Sequence, residues 1–527
     1  MKILISDPLA EEGISILKEE KEFSVDVKTG LTSEELSKII GDYEALIVRS
    51  ATKVTKEVIR NAENLKVIGR AGVGLDNVDL ESATQKGIVV MNTPSGNTIS
   101  AAEHTLSLIL ALSRNISRAD ASVKKGEWQR SKFMGVELYD KILGVIGLGR
   151  IGTEVAKRAI SFGMKVITYD PFVTLEFAQG LGIKLAELSE LLETSDYISI
   201  HIPLTDQTLH MISKKEFSLM KKGVRIINCA RGGIIDESAL IEALKEKRIS
   251  GCALDVFEKE PPGNTELLKF DNVVLTPHLG ASTEEAQVNV AIEIAESVRD
   301  CLLGKGIRNA ANFPCVEPEV YKVLSPYINL VEKMGQLSAQ LIEGRIEGVK
   351  ILYSGELFAK FPTEPLTLAC MKGLLSPILK ETVNFINALA LAKERGIRIQ
   401  EIKTTKEEEF VTLISLDIKS DKEERKVAGT LFAKDLARIV KIDSFYVEAI
   451  PFGFMIITQN WDKPGIIGNL GTILGKNNIN IAGMTFGRES EGGKAITVLN
   501  VDSPVSSSVL EEIKNCPHIL SVKLIKL

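Results

Sequence analysis

The sequence predicts an α/β protein built on two parallel sheets, and three observations carry that reading. Strand-like and helical runs alternate from the first residues and again beyond residue 141. Between an apolar run at 142–146 and a helical one, Gly147, Gly149 and Gly152 form a G-x-G-x-x-G turn. The chain has 527 residues, 44% hydrophobic and 25% charged, a soluble globular composition. At roughly 150 residues per domain that length holds three or four domains.

In order, the pattern predicts a strand over 2–6, a helix over 10–19, a strand over 24–28, a helix over 33–40 and a strand over 45–48, a small parallel-sheet unit. Arg49 and Arg70 follow the strand ends ALIVRS and LKVIGR, at the carboxyl edge where open α/β sheets bind ligands. Two arginines there suit an anionic substrate, although solvated surface arginines look the same in sequence. Gly72 and Gly74 beside Arg70 supply a loop whose N–H groups can cradle a carboxylate. After the punctuation of Pro94, Gly96 and Asn97, a helix over 100–115 makes the crossing into a second unit. The basic, amphipathic stretch up to Phe133 reads either as a solvated face or as a subunit contact bringing Arg130 and Lys132 to an anion site.

The second unit opens with the glycine turn. The first glycine bends the chain, the second lets backbone approach a pyrophosphate, and the third permits close helix packing. The helix start offers unpartnered N–H groups and a positive dipole end, so a diphosphate fits there. The next strand, 165–169, ends in Asp170, whose carboxylate can accept from both hydroxyls of an adenine ribose. A 2′-phosphate would face that charge, and Pro171 and Phe172 bring no compensating arginine, so NAD is expected over NADP.

Further strands are predicted over 197–202, 225–229, 251–255 and 273–275, and each ends in a candidate functional group. Arg231, Glu260 and His278 should therefore meet at one sheet edge. Oxidising an alcohol carbon needs an acceptor for the hydroxyl proton, and histidine is the side chain poised for it at neutral pH. The chain has five histidines. His278 is the favoured base and His201, also at a strand end, the alternative. Glu260, with Glu258 as rival, would hold the far ring nitrogen, and Arg231 offers a bidentate fork for an α-carboxylate.

Charge and cysteines exclude other classes. A net charge of −6 gives no general attraction to nucleic acid or anionic membrane, and no run approaches the roughly 18 apolar residues of a membrane span. Cys229, Cys252, Cys301, Cys315, Cys370 and Cys516 form no CxxC pair, so no disulfide framework and no metal site are expected, and a reducing cytoplasm fits.

These motifs identify a resemblance. Residues 1–310 resemble the D-isomer-specific 2-hydroxyacid dehydrogenases through the glycine turn, NCARGGIIDE at 228–237, DVFEKEPP at 255–262 and TPHLGAST at 276–283. The resemblance implies Arg231, Glu260 and His278 as the catalytic residues. It implies cofactor contacts from Val73, Gly147, Gly149, Arg150, Ile151, Gly152, Asp170, Ile202, Cys229, Ala230, Asp255, His278 and Gly280. Substrate contacts would come from Arg49, Arg70, Gly72, Gly74, Asn97, Arg130 and Arg231. The fold implied is a flavodoxin-like substrate domain, 1–97 and 288–310, around a Rossmann-type NAD domain, 98–287.

Residues 311–451, with helices expected over 321–341 and 371–394 and strand-like runs over 410–418 and 426–432, look like the α+β intervening domain of the long members of that family. Lys434, Arg438 and Lys441 read there as a solvated helix face, or as a regulatory anion site. Residues 452–527 carry WDKPGIIGNLGTILGKNNINIAGM and are similar to an ACT domain, a ferredoxin-like regulatory module of amino-acid metabolism. By that likeness Asn460, Asp462 and Asn480 would hold an amino-acid effector where two modules pair.

Taken together, the resemblance implies NAD-dependent oxidation of 3-phosphoglycerate to 3-phosphohydroxypyruvate, the first step of the phosphorylated route to L-serine. Serine would be the effector and the assembly a homodimer or homotetramer. The alternatives are a dehydrogenase of another D-2-hydroxyacid, such as glycerate, glyoxylate or 2-hydroxyglutarate, and a non-catalytic NAD-sensing scaffold.

Overall fold

A computed structural model describes residues 1–314, 318–380, 382–406 and 409–527; Cys315 lies outside them. Its strands form four sheets. The first has five strands in the order Ser24–Val27, Lys2–Ile5, Ala45–Val48, Val67–Arg70, Val89–Met91, all parallel. In chain order this is 2-1-3-4-5, the flavodoxin-like arrangement. The strands carry short, wholly apolar cores such as ALIV, buried throughout, because helices cover both faces of a parallel sheet. Local chemistry sets the helix starts: Thr32 and Glu35 form a capping box, and Thr55 and Asp79 accept N–H groups at the next two helices.

The chain leaves this sheet along the helix Thr98–Arg114, which packs on the helix Arg150–Ser161 of the second unit. It comes back by the helix Glu284–Leu302, whose Val290, Ile294, Ala295 and Val298 complete the first core. That contact is close: a side chain on Gly69 would meet Val298 at 2.7 Å, and one on Gly13 the Ala291 carbonyl at 2.5 Å.

The second sheet has seven parallel strands, ordered Val273–Leu275, Gly251–Leu254, Arg225–Asn228, Tyr197–Ile200, Ile142–Ile146, Lys165–Tyr169, Lys184–Leu185. The strand order reverses beside Ile142–Ile146, and such a switch point is where open sheets bind ligands. The two-residue strand Lys184–Leu185 had no sequence signal of its own.

The third sheet has six strands, of which Ile346–Ser354 and Arg398–Thr404 pair in parallel and the rest antiparallel. The helices Pro318–Leu341 and Glu364–Leu375 lie over one face. Two expectations are corrected here. The helix predicted over 371–394 is interrupted: Glu364–Leu375 ends before Pro377, and a second helix starts only at Ala388–Glu394. Between them the Asn384 side chain accepts from the Ile386 and Asn387 amides, an Asx turn that competes with helix. Lys434, Arg438 and Lys441 are likewise not on a helix; the strand Leu436–Ile442 carries the last two. Successive strand residues face opposite sides, which puts Ile439 and Val440 in different apolar clusters, and the register shift between Ile439 and Lys441 returns Ile442 to the cluster of Ile439, so apolar side chains lie on both faces and the alternation that marks a strand is lost.

The last sheet, Phe454–Trp461, Ile481–Arg488, Lys494–Val501 and Ile519–Lys526, with helices Ile466–Lys476 and Ser507–Lys514, is the expected βαββαβ module. Its Met455, Ile457, Ile496, Val498 and Ile525 belong to the same core as the helix Pro318–Leu341. The six-stranded part in turn touches the first sheet, where Asn384 Nδ2 donates to the Gly87 carbonyl at 2.8 Å and Ile386 enters the core. No helix among the described residues is long and apolar enough to cross a membrane.

Candidate active site

The glycine turn has the geometry its spacing predicts. Gly147 adopts φ +94, and a side chain there would lie 2.7 Å from the His201 carbonyl and from Ile202. A Cβ on Gly152 would lie 2.0 Å from the Gly147 carbonyl, so the first turn of the helix can pack against the glycine turn only without one there. Gly149 is different: its backbone is extended, φ −70 and ψ −161, and nothing lies within 4 Å of an added Cβ. That open space belongs to a cleft of about 730 Å³ lined by Thr98, Leu148, Gly149, Arg150 and Phe172. Ile151 packs just behind, against the core under the helix. A pyrophosphate fits here, over bare backbone at the positive end of a helix of 12 residues.

Asp170 stands at the end of the neighbouring strand, as expected. Its two oxygens accept the Leu148 and Phe172 amides at 2.8 and 2.9 Å, which ties the carboxylate to the rim of the glycine turn and leaves one lone pair on each oxygen for a ribose hydroxyl. Across the crossing point, the Asn97 side-chain Oδ1 and the Thr98 hydroxyl are buried without a hydrogen-bond partner among the described residues. Buried polar atoms are seldom left so, and a bound molecule would satisfy them.

Arg231, Glu260 and His278 follow three strands that are neighbours in the sheet, Arg225–Asn228, Gly251–Leu254 and Val273–Leu275. His278 Nδ1 lies 2.8 Å from Glu260 Oε2. The rival carboxylate, Glu258, is engaged elsewhere, with His210 Nε2 at 3.2 Å and the Glu237 amide at 3.0 Å. The alternative base is also disfavoured: the His201 ring lies against Ser199 Oγ at 2.7 Å, and burial pushes it down to about 4. Cys229 and Ala230 line the turn after Arg225–Asn228; burial pushes the Cys229 thiol up to about 12, so it is neutral at pH 7.

The first sheet answers with cations. Burial, then the charge of Arg231, pushes the Arg70 guanidinium down to about 10; Asp76 opposes the shift and Arg49 adds to it. Arg70 Nε is buried without a partner among the described residues, while Arg231 Nε reaches Asp76 at 3.3 Å. Two guanidiniums this close, one with an orphaned donor, form a site for an anion. Gly72 and Gly74 make it sterically feasible. A Cβ on the first would overlap Arg70 at 1.6 Å, and one on the second Arg231 at 2.1 Å. Val73 between them gives its carbonyl to Asn92. Arg49 is half-buried and donates to the Pro8 carbonyl, at 3.2 Å. Arg130 and Lys132 sit apart on the exposed turn Arg130–Phe133, with no side-chain hydrogen bond or ion pair among the described residues.

Sequence reasoning missed the group that organises the His278 loop. Asp255, expected only as a cofactor contact, is fully buried and accepts the Leu279 and Gly280 amides at 2.7 and 2.8 Å. Its position at a strand end was the only signal.

In the last sheet, Asn460 is fully buried and donates to the Trp461 carbonyl, so it offers an effector nothing within this chain. Asp462 holds Arg488 at 3.0 Å, and Asn480 donates to Asp502 at 2.7 Å. Asp462 follows Trp461, paired with Lys494, whereas Asn480 precedes Ile481, paired with Val501. They lie at opposite ends of the sheet, about 23 Å apart at 3.3 Å per residue.

A switch-point cleft over a bare glycine turn, with an arginine, a glutamate and a histidine on the adjoining strand ends, defines a D-isomer-specific 2-hydroxyacid dehydrogenase. Residues 106–280 match the NAD binding domain of that family, residues 323–443 the D-3-phosphoglycerate dehydrogenase intervening domain, and residues 455–518 the ACT domain. D-3-phosphoglycerate dehydrogenase of Archaeoglobus fulgidus is 48% identical over 530 residues, covering all of both chains. That of Bacillus subtilis is 42% identical over all of this chain and 99% of its own. The crystal structure of Aquifex aeolicus D-lactate dehydrogenase with NAD and lactic acid is similar at 34% identity and a TM-score of 0.53, over 60% of this chain and all of the other. The chain belongs to the D-3-phosphoglycerate dehydrogenase family.

Two predictions follow from the geometry. Gly149→Ala meets no steric or backbone obstacle, so it should keep the wild-type melting temperature yet weaken NAD binding at least about 10-fold by calorimetry, because the methyl occupies the pyrophosphate space. Unchanged affinity would place the diphosphate elsewhere. His201 titrates at about 4 when folded against 6.5 when free, so its share of stability is complete above pH 6.5 and is lost as pH falls towards 4, where the unfolded chain takes up the proton first. His201→Asn should flatten the melting temperature between those two pH values; an identical acid limb in both proteins would refute the assignment.

Proposed function

We propose that the chain oxidises 3-phospho-D-glycerate to 3-phosphohydroxypyruvate with NAD, opening the phosphorylated route to L-serine in the cytoplasm. The observation that carries the chemistry is the 2.8 Å contact between His278 Nδ1 and Glu260 Oε2. A carboxylate on Nδ1 keeps the proton there, leaving Nε2 as the basic nitrogen that faces substrate, and it stabilises the imidazolium once formed. His278 Nε2 takes the C2 hydroxyl proton. NAD, when bound, accepts the C2 hydride. Arg231 binds the substrate carboxylate through its fork and places positive charge beside the forming carbonyl. The Gly72 to Gly74 loop and Asn97 line the same side, and Arg49 and Arg70, with Arg130 or Lys132 of a neighbouring subunit, meet the phosphate.

Asp170 reads the adenine ribose, Arg150 and Ile151 present the helix-start amides to the diphosphate, and Val73, Ile202, Cys229, Ala230, Asp255 and Gly280 enclose the nicotinamide end. In this reading residues 1–97 with 288–310 form the substrate domain, 98–287 the NAD domain, 311–451 the intervening domain and 452–527 the regulatory module.

Regulation by L-serine is part of the proposal. A zwitterion needs an acceptor for its ammonium and donors for its carboxylate, and Asp462, the amides after Pro464 and Asn480 supply those groups. Because Asp462 and Asn480 are at opposite ends of one sheet, a shared site requires two modules paired about a two-fold axis, hence a homodimer or homotetramer. Serine inhibits only if it favours one arrangement of the subunits over another.

NADH absorbance on mixing protein, NAD and 3-phosphoglycerate tests the substrate; the rate should exceed that with D-glycerate at least about 10-fold in kcat/KM, and parity would point to an unphosphorylated acid. His278→Ala should lower kcat by roughly 10²-fold or more with NAD affinity close to wild type, whereas near-normal turnover would remove His278 from its role. Asp462→Ala should keep catalysis and lose serine inhibition. A wild-type protein that gives neither heat nor inhibition at millimolar serine would leave the module without this effector.

A further inference from the structure

His278 sits in a backbone conformation, φ +57, that side-chain-bearing residues seldom adopt. Hydrogen bonds to one buried carboxylate hold it there. The two amides that follow, Leu279 and Gly280, both donate to the buried carboxylate of Asp255, at 2.7 and 2.8 Å. Thr276, two residues before His278, donates its hydroxyl to the same group at 2.6 Å. The Asp255 side chain is only 1% exposed, so every donor it receives must come from the protein or from a bound molecule.

The remaining donor comes from a different element. His104, on the crossing helix Thr98–Arg114, places Nε2 at 3.1 Å from Asp255 Oδ1 and 3.2 Å from Thr276 Oγ1. Because the threonine hydroxyl proton points to Asp255, both atoms facing the ring are acceptors, and Nε2 must carry the proton. One turn earlier on the same helix, Ser100 Oγ meets Thr283 Oγ1 at 2.7 Å, at the far end of the His278 loop. The crossing helix thus grips that loop at both ends, once through a hydroxyl and once through a buried charge. Burial pushes the Asp255 carboxyl up, yet the bonds from His104, Thr276 and the two amides outweigh it and hold the group below the ordinary carboxylate range.

We propose that His104 is a positioning residue for the reaction, donating through Nε2 to the Asp255 and Thr276 pair that holds the His278 loop in its strained form. It touches no reacting atom; its effect passes through Asp255. The proposal rests on the reading of His278 as the base. Without the imidazole, Asp255 keeps its charge with one donor fewer, the Thr276 hydroxyl is free to turn, and His278 gains positions from which Nε2 no longer meets the substrate hydroxyl.

The test compares His104→Leu, His104→Gln, Thr276→Val and His278→Ala in the full-length enzyme, by steady-state kinetics across pH and by thermal melting. His104→Leu should lower kcat at least about 10-fold, with KM for NAD within about 2-fold of wild type, and should displace the limb of the kcat pH profile that disappears in His278→Ala. His104→Gln, which returns an N–H donor at similar reach, should recover kcat to within about 3-fold. An unaltered kcat and pH limb in His104→Leu overturns the proposal, as does a loss that His104→Gln does not recover. If His104→Leu fails to fold, Thr276→Val carries the same expectation, and wild-type kinetics there overturn it. Turnover surviving in His278→Ala overturns both this proposal and the assignment of the base, whereas its loss together with an unaffected His104→Leu overturns the positioning role alone.

Discussion

The repulsion between Arg70 and Arg231 is the constraint around which the cleft is built. One guanidinium comes from the first sheet and the other from the second, and burial together with the Arg231 charge pushes the Arg70 guanidinium down. Asp76 relieves only part of this: it meets Arg231 at 3.3 Å and opposes the shift of Arg70 without cancelling it. The glycines at 72 and 74 exist in this loop because the two side chains occupy the volume a Cβ would need. In the proposed function an anionic substrate would bring counter-charge to both arginines, one from each sheet. The same two sheets are joined covalently by the crossing and return helices.

Much of this was legible in sequence, for a physical reason. A fully parallel sheet writes each strand as a short apolar run, and its carboxyl ends hold the groups that bind ligands, so ALIVRS, NCARGG, DVFEKEPP and TPHLG name both a strand and a site. The glycine turn adds three separate steric requirements at fixed spacing, and the structure assigns each glycine the one expected: a positive φ at Gly147, open space at Gly149, contact with backbone at Gly152. His278 and Glu260, 18 residues apart in sequence, meet because their strands are adjacent.

What was not legible depends on pairings that leave no periodic trace. The strand Leu436–Ile442 is buried on both faces and shifted in register, so it reads as a basic helix. The helix expected across 371–394 stops before Pro377 and restarts only after Asn384, whose side chain accepts from the Ile386 and Asn387 amides, so single residues override the composition around them. The effector residues were grouped through the likeness to a paired module, and the sequence does not show that antiparallel pairing sets Asp462 and Asn480 at opposite ends of the sheet within one chain. His104 had no signal at all: a histidine on an amphipathic helix gains meaning only when a buried carboxylate from a strand 150 residues later is seen beside it.

The apolar cluster shared by the helix Pro318–Leu341 and the terminal sheet changes what that module is. Met455, Ile457, Val498 and Ile525 line one side of a space whose other side is Leu337, Leu341 and their neighbours. A chain cut before residue 453 would not be a regulated enzyme shorn of its sensor; it would present an uncovered oily face to water and stick to its copies. The module is thus also a cover for the long helix, and Met455, Ile457, Val498 and Ile525 cannot turn polar without setting an unpaired group inside that cluster.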